Sequence, residues 1–345
     1  MRLMCIYSTI CSIEQAPKCV PSTSPLTVSS VLTRPLAKLP AQGNVLPHAA
    51  KVLVLATKSG FHLTAADPVH QQLHHNRSVP WTSTFVEEIR RGLRACRVVL
   101  CFTIFYLCFN QTMNNLISQA NQMELTGISN DTIQALNPIF YIVLNPVIQK
   151  FLFPFLSRRH ISFGPILRMT ISFALLAATM AYAAGTQQLI YSRGPCFSRP
   201  LACEAGRIPT DDGTVQYRPN EISVWIQTPL HLLVSTGEIF GFVALNEFAY
   251  SEAPTNMKAL VKAFEQFTAA LGAALGMALG PVSKDPFLVI MYASLAGTIA
   301  VSAVAFFGVF RVHDAHWHTH KGAEDLELST DGEVVTEKVA EKKHE

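Results

Sequence analysis

Residues 287–310 read FLVIMYASLAGTIAVSAVAFFGVF and contain no Asp, Glu, Lys, Arg or His. At about 1.5 Å of rise per residue, a helix of this length crosses a hydrocarbon core of roughly 30 Å. A buried helix of a water-soluble domain is rarely so long and so uniformly apolar. Working outward, comparable apolar stretches recur upstream. Six spans are expected, at 96–120, 132–155, 163–187, 222–250, 256–281 and 286–310. The expected fold class is an all-α membrane protein, with the lipid bilayer as its surroundings.

Average composition conceals this. With 345 residues, 49% hydrophobic, 15% charged and a net charge of +3, the chain would pass for a soluble protein of two domains. The basic residues are scattered among acids, which argues against a nucleic-acid partner. Eight cysteines show no C-x-x-C pairing, so no metal framework is indicated. The sequence has no G-x-S-x-G, P-loop, H-E-x-x-H or G-x-G-x-x-G signature and is read as a non-enzyme without a cofactor.

Residues 1–48 are rich in Pro, Ser and Thr without a sustained period and are expected to be disordered. Residues 49–95 are read as a linker and an amphipathic lead-in, TFVEEIRRGLR at 84–94. The membrane domain covers 96–310, and 311–345 is a charged tail expected to be disordered. Its His313, His316, His318 and His320 are read as solvated rather than metal-binding. Arg90, Arg91, Arg94, Arg97, Lys150, Arg158, Arg159, Lys258, Lys262 and Arg311 all fall on one side if six helices alternate. That side is cytosolic by the positive-inside rule.

Inside the 222–250 stretch lies a carboxylate, Glu238. An ionisable side chain at mid-bilayer costs several kcal/mol unless it faces water or a partner, so it is a functional candidate by default. At about 100° per residue, Gln227, His231, Ser235, Glu238 and Asn246 share one face. Glu247 points nearly opposite and is read as a structural helix-end residue. Gln111, Asn115, Ser118 and Gln122 share a face of the first span; Asn137, Tyr141 and Asn145 share one of the second. Singly, such amides are either interhelical glue or cavity lining. Three polar stripes together point to a wet central cavity. Gly272, Gly276 and Gly280, four apart, are read as a packing ladder. Cys196 and Cys203 lie in the long loop on the non-cytosolic side, where a local disulfide is permitted.

Several stretches carry a family resemblance: FVEEIRRGLRACRVV, NQTMNNLISQANQMEL, NDTIQALNPIF, RRHISFGPILRMT, YAAGTQQLIYSRGPC, the run IQTP…GEIFGF…EFAYSEAPTNMKALV, and GPVSKDPFLVIMYASLAG. Together they resemble the proton-dependent oligopeptide transporter family in its fungal di- and tripeptide branch, over residues 50–312. The resemblance implies the major facilitator fold, of which this chain matches the C-terminal six-helix bundle. The family's first six helices, with the E-x-x-E-R motif for proton coupling, are not matched. The implied function is a proton-coupled di- and tripeptide symporter, as a C-terminal half or truncated form, with protons as the coupling ion and the plasma membrane as its site. The other reading is a non-transporting half-bundle that assembles with a separate N-terminal half or with itself. By resemblance, Glu238 and Asn137 of the L-N-P motif face the peptide's amino terminus, and Gln111 and Asn115 line the cavity. Ser235 and Tyr141, on the same stripes, complete the candidate substrate site.

Overall fold

Proline and capping side chains set where the helices begin. The computed structural model describes residues 45–311 except 60–61, 77, 126, 128, 160–162, 210–214 and 254–256. The expected disordered regions therefore fall, apart from a few residues, outside the described residues, as does the histidine cluster of the tail. The chain divides into two units, Met1–Pro47 and His48–Glu345, and the helical architecture belongs to the second. Helix α1 (Val45–Lys58) leads to α2 (Pro68–His75), where Pro68 takes the first turn and the Asp67 side chain accepts from Val69 N. Proline suits that position because the first-turn N–H has no intrahelical partner. Trp81 then donates Nε1–H to Ala66 O at 2.9 Å, anchoring the connection.

Thr82 caps α3 (Ser83–Asn121), a 39-residue helix. The amphipathic lead-in and the first expected span are thus one continuous helix, since nothing between Phe85 and Val98 breaks the hydrogen-bond ladder. After α3 come β1 (Met123–Glu124), α4 (Asn130–Gln134) and α5 (Leu136–Val147). Pro146 removes a donor inside α5, and the helix continues through a π turn at Ile148–Leu152 into α6 (Phe153–Arg158). Pro165 opens α7 (Pro165–Ser192). A long connection holds β2 (Arg207–Pro209), β3 (Val215–Tyr217) and β4 (Asn220–Ser223), followed by a 3₁₀ turn at Val224–Gln227. The last helices are α8 (Thr228–Glu252), α9 (Lys258–Ala278) and α10 (Leu288–Arg311).

Among the described residues, five stretches are long and apolar enough to cross a membrane: α3, Thr132–Leu156, α7, Val224–Glu252 and α10. The remaining expected span, α9, is 21 residues long but carries Lys258, Lys262 and Glu265 near its start. Helix α8 packs chiefly on α7, and α9 on α3. An aromatic core joins them, in which Phe102, Phe105 and Phe173 are fully buried and Phe306 stacks on Phe173 at 5.3 Å. Outward-facing Ile139, Val143, Val304 and Ile290 stay exposed, which suits hydrocarbon surroundings.

The α7–α8 connection forms a stapled cap. Cys196 and Cys203 are disulfide-bonded. Buried Asn220 accepts from Cys196 N and donates to Ile190 O and Phe197 O. Strand β4 pairs in parallel with β1, and β2 pairs antiparallel with β3.

Two glycines of the ladder set the α3–α9 approach. A Cβ on Gly272 would lie 2.6 Å from Tyr106 Cβ, and one on Gly276 would lie 2.9 Å from Gln111 Nε2. Gly272→Ala is expected to cost about 1–3 kcal/mol through forced separation of the helices. Gly297→Ala, where nothing lies within 4 Å, is expected to be neutral or slightly stabilising. Thermal unfolding of the detergent-solubilised protein checks both; equal midpoints would refute the close-approach account.

Candidate functional site

Glu238 sits midway along α8, whose polar face turns toward α3 and α5 rather than outward. It is 4% exposed. Its Oε1 accepts from Asn137 Nδ2 at 2.8 Å. Asn137 lies in the first turn of α5, beside Pro138. Its Oδ1 accepts from Ser235 Oγ at 2.5 Å, and the same hydroxyl lies 2.9 Å from Asn137 O and 2.8 Å from His231 O. Residues 235 and 238 stand one helical turn apart, so both meet Asn137 from the same face. Among the described residues, no Lys, Arg or His forms an ion pair with Glu238; the ion pairs use Glu87, Glu247 and Glu265 instead. A buried carboxylate with an amide partner and no counter-ion is suited to receive a cationic hydrogen-bond donor.

The other candidates fall elsewhere. Gln111 donates to Gly276 O at 2.7 Å, and its Oε1 accepts from Asn115 Nδ2 at 2.6 Å. Both amides are engaged where α3 meets α9. Tyr141, one turn beyond Asn137, packs with the apolar cluster of Ile148, Ile239 and Phe240. Asn145 accepts from Gln149, still further along the chain. Glu238, Asn137 and Ser235 therefore form one constellation, Gln111 and Asn115 a second, and Tyr141 borders apolar packing.

Periodicity also marked residues whose surroundings only the fold reveals. His231 is 2% exposed, and neither ring nitrogen has a partner among the described residues. Gln227 Oε1 and Thr228 Oγ1, one turn earlier, share that condition. At the opposite end of the bundle Glu247 pairs with Arg168 at 2.6 Å, and the guanidinium lies over the Phe153 ring. Lys262 Nζ reaches both oxygens of buried Glu265 and also Asn246 Oδ1. Glu247 thus has the helix-end structural partner its position implied, and Lys262 and Glu265 of α9 neutralise each other.

These features define a polytopic helical membrane protein with a buried carboxylate–amide site. Residues 32–295 match the POT family, and the chain belongs to that family. It is 47% identical to the peptide transporter imqD of Aspergillus flavus, over 81% of this chain and 67% of that protein. It is 35% identical to the probable peptide transporter ptr2 of Schizosaccharomyces pombe, covering 87% of this chain and 46% of the relative. Against the peptide transporter PTR2 of Saccharomyces cerevisiae the identity is 33%, over 80% and 43%. The chain thus spans about half the length of several relatives. Among solved structures, the POT family transporter PepTSo superposes with a TM-score of 0.55 at 18% identity, covering 87% of this chain and 60% of that one. An auto-inhibited POT family peptide transporter gives 0.51 at 21% identity, over 84% and 58%. At these identities the structural likeness concerns the fold.

Removing the amide donor from Glu238 is expected to destabilise the protein. Asn137→Ala should lower stability by about 1–3 kcal/mol, because a buried acceptor loses its partner. A double-mutant cycle with Glu238→Ala should return a coupling of about 0.5–3 kcal/mol. Additive effects in the cycle would mean that the two side chains do not act as a pair.

Proposed function

We propose that this chain is the C-terminal half of a proton-coupled di- and tripeptide transporter, with six spanning helices of which α9 is the fifth. The observation that carries the reading is the Glu238–Asn137 pair: a carboxylate with no basic partner among the described residues, joining α8 to α5, in a chain of the POT family. A peptide's ammonium group offers the charge and the donors that this pair lacks, and charge-assisted bonds of that kind are the strong ones. Peptide transporters among the relatives support a peptide substrate. On this reading the peptide's amino terminus exchanges with Asn137 for the Glu238 carboxylate. Protons are the coupling ion, and the groups that move them lie in an N-terminal half. The protein works in the plasma membrane.

The alternative, a membrane half-bundle that assembles with a separate N-terminal half or with another copy and does not transport alone, makes a different prediction.

Uptake of a radiolabelled dipeptide by cells without endogenous peptide transport tests whether this chain transports by itself. If the chain transports by itself, uptake rises above background and Glu238→Gln lowers it at least about tenfold, the value of a charge-assisted hydrogen bond. Background uptake from a correctly folded chain would reject autonomous transport. Restoration by co-expressing an N-terminal half from a relative would then establish the assembly reading.

A further inference from the structure

Four buried glutamines form one continuous hydrogen-bonded chain at the end of the bundle where α3 and α7 finish and α8 starts. Gln227 Nε2 donates to Gln119 Oε1 at 3.1 Å, Gln119 Nε2 to Gln187 Oε1 at 2.9 Å, and Gln187 Nε2 to Gln122 Oε1 at 2.7 Å. Gln122 Nε2 then donates to Asp285 Oδ2 at 3.0 Å, and Tyr191 donates its hydroxyl to Asp285 Oδ1. The chain runs from the turn before α8, through α3 and α7, to the turn between α9 and α10.

Its direction is imposed by groups that can only accept. Gln227 also donates to Leu116 O, and Gln119 also donates to Ala183 O. At the far end the two carboxyl oxygens of Asp285 accept from Gln122 and Tyr191. Turning any one amide over would set donor against donor or acceptor against acceptor. The four amides therefore hold one common orientation, with Asp285 as their terminus. The same corner carries the cap, because Asn220 N donates to Gln122 O and β4 pairs with β1.

Asp285 differs from the glutamines in being only partly buried, so water and protons reach it. Tyr191 of α7 and Gln122 of α3 face it, and Tyr292 of α10 lies close enough to sense its charge. Among the described residues no Lys, Arg or His forms an ion pair with it.

We propose that Asp285 and the chain Gln122–Gln187–Gln119–Gln227 form a proton-responsive collar that joins the ends of α3 and α7, the start of α8 and the α9–α10 turn into one rigid body. Burial pushes the Asp285 carboxyl above the usual aspartate range, against the opposing effect of its bonds from Tyr191 and Gln122. In a loosened collar the carboxylate is fully hydrated and returns to that range. The closed collar therefore binds the proton more tightly, so acid favours closure. That advantage is fully present below the ordinary aspartate value and is lost as pH rises through the elevated one.

The collar does not depend on transport, and hydrogen–deuterium exchange of the full chain in lipid nanodiscs tests it directly. Protection, corrected for chemical exchange rates, is followed from about pH 4 to about pH 8 across the carboxylate range. Peptides covering 119–125, 187–192, 220–227 and 279–287 are expected to lose protection together, at least about threefold, as pH rises. Asp285→Asn keeps an acceptor and removes the charge; it should stay protected at every pH. Gln187→Leu breaks the chain at its middle and should lower protection in all four segments. A pH-independent wild type, an Asp285→Asn protein that keeps the wild-type response, or a Gln187→Leu loss confined to α7 would each overturn the collar. Should Gln187→Leu not fold, the wild-type series and Asp285→Asn still decide.

Discussion

A polar side chain inside an apolar helical bundle has no water to return to, so it must find its partner within the bundle. Most contacts that position this structure's helices answer that requirement. Glu238 takes Asn137, Gln111 takes a carbonyl of α9, Asn246 takes Lys262, and four glutamines take one another. Apolar packing between Phe102, Phe105 and Phe173 supplies contact area but little directional information. The polar pairs supply direction, and so define which helix faces which.

The elements most legible in sequence were those whose signal is local. The charge-free run at 287–310 is helix α10, and four of the five apolar stretches upstream are also long and apolar enough to span. Helix α9 is harder to read because Lys258, Lys262 and Glu265 lower its apolar character, although Lys262 and Glu265, three residues apart, neutralise each other within the helix itself. The stripe around Glu238 was visible because helical period is local too. Its partner lies 101 positions away and was reachable only through family resemblance. The stripe suggested an open cavity wall. The structure instead turns Glu238, Ser235 and His231 into a helix-to-helix contact, with at most a few per cent of each exposed.

The glutamines show where local reading ends. Each of Gln119, Gln187 and Gln227, taken alone, is an amide near the end of an apolar segment, equally suited to solvent. Their meaning lies in contacts spanning 65 to 163 positions, which no periodicity within one helix encodes. Gln111 and Asn115 were open between glue and cavity lining. The fold engages both, and the nearby carbonyl of Gly276 is accessible only because that residue lacks a side chain to hold α9 away.

Helix α5 carries this logic to a mechanical result. Only a small share of its apolar stretch is buried, and its outer residues face away from the bundle. Asn137 and Ser235 are thus among its few directional ties to α8. A ligand that took Asn137's place at Glu238 would fill a site and also remove one of the ties between α5 and α8. Occupancy and the looser seating of α5 would then be linked through the hydrogen bonds of a single asparagine.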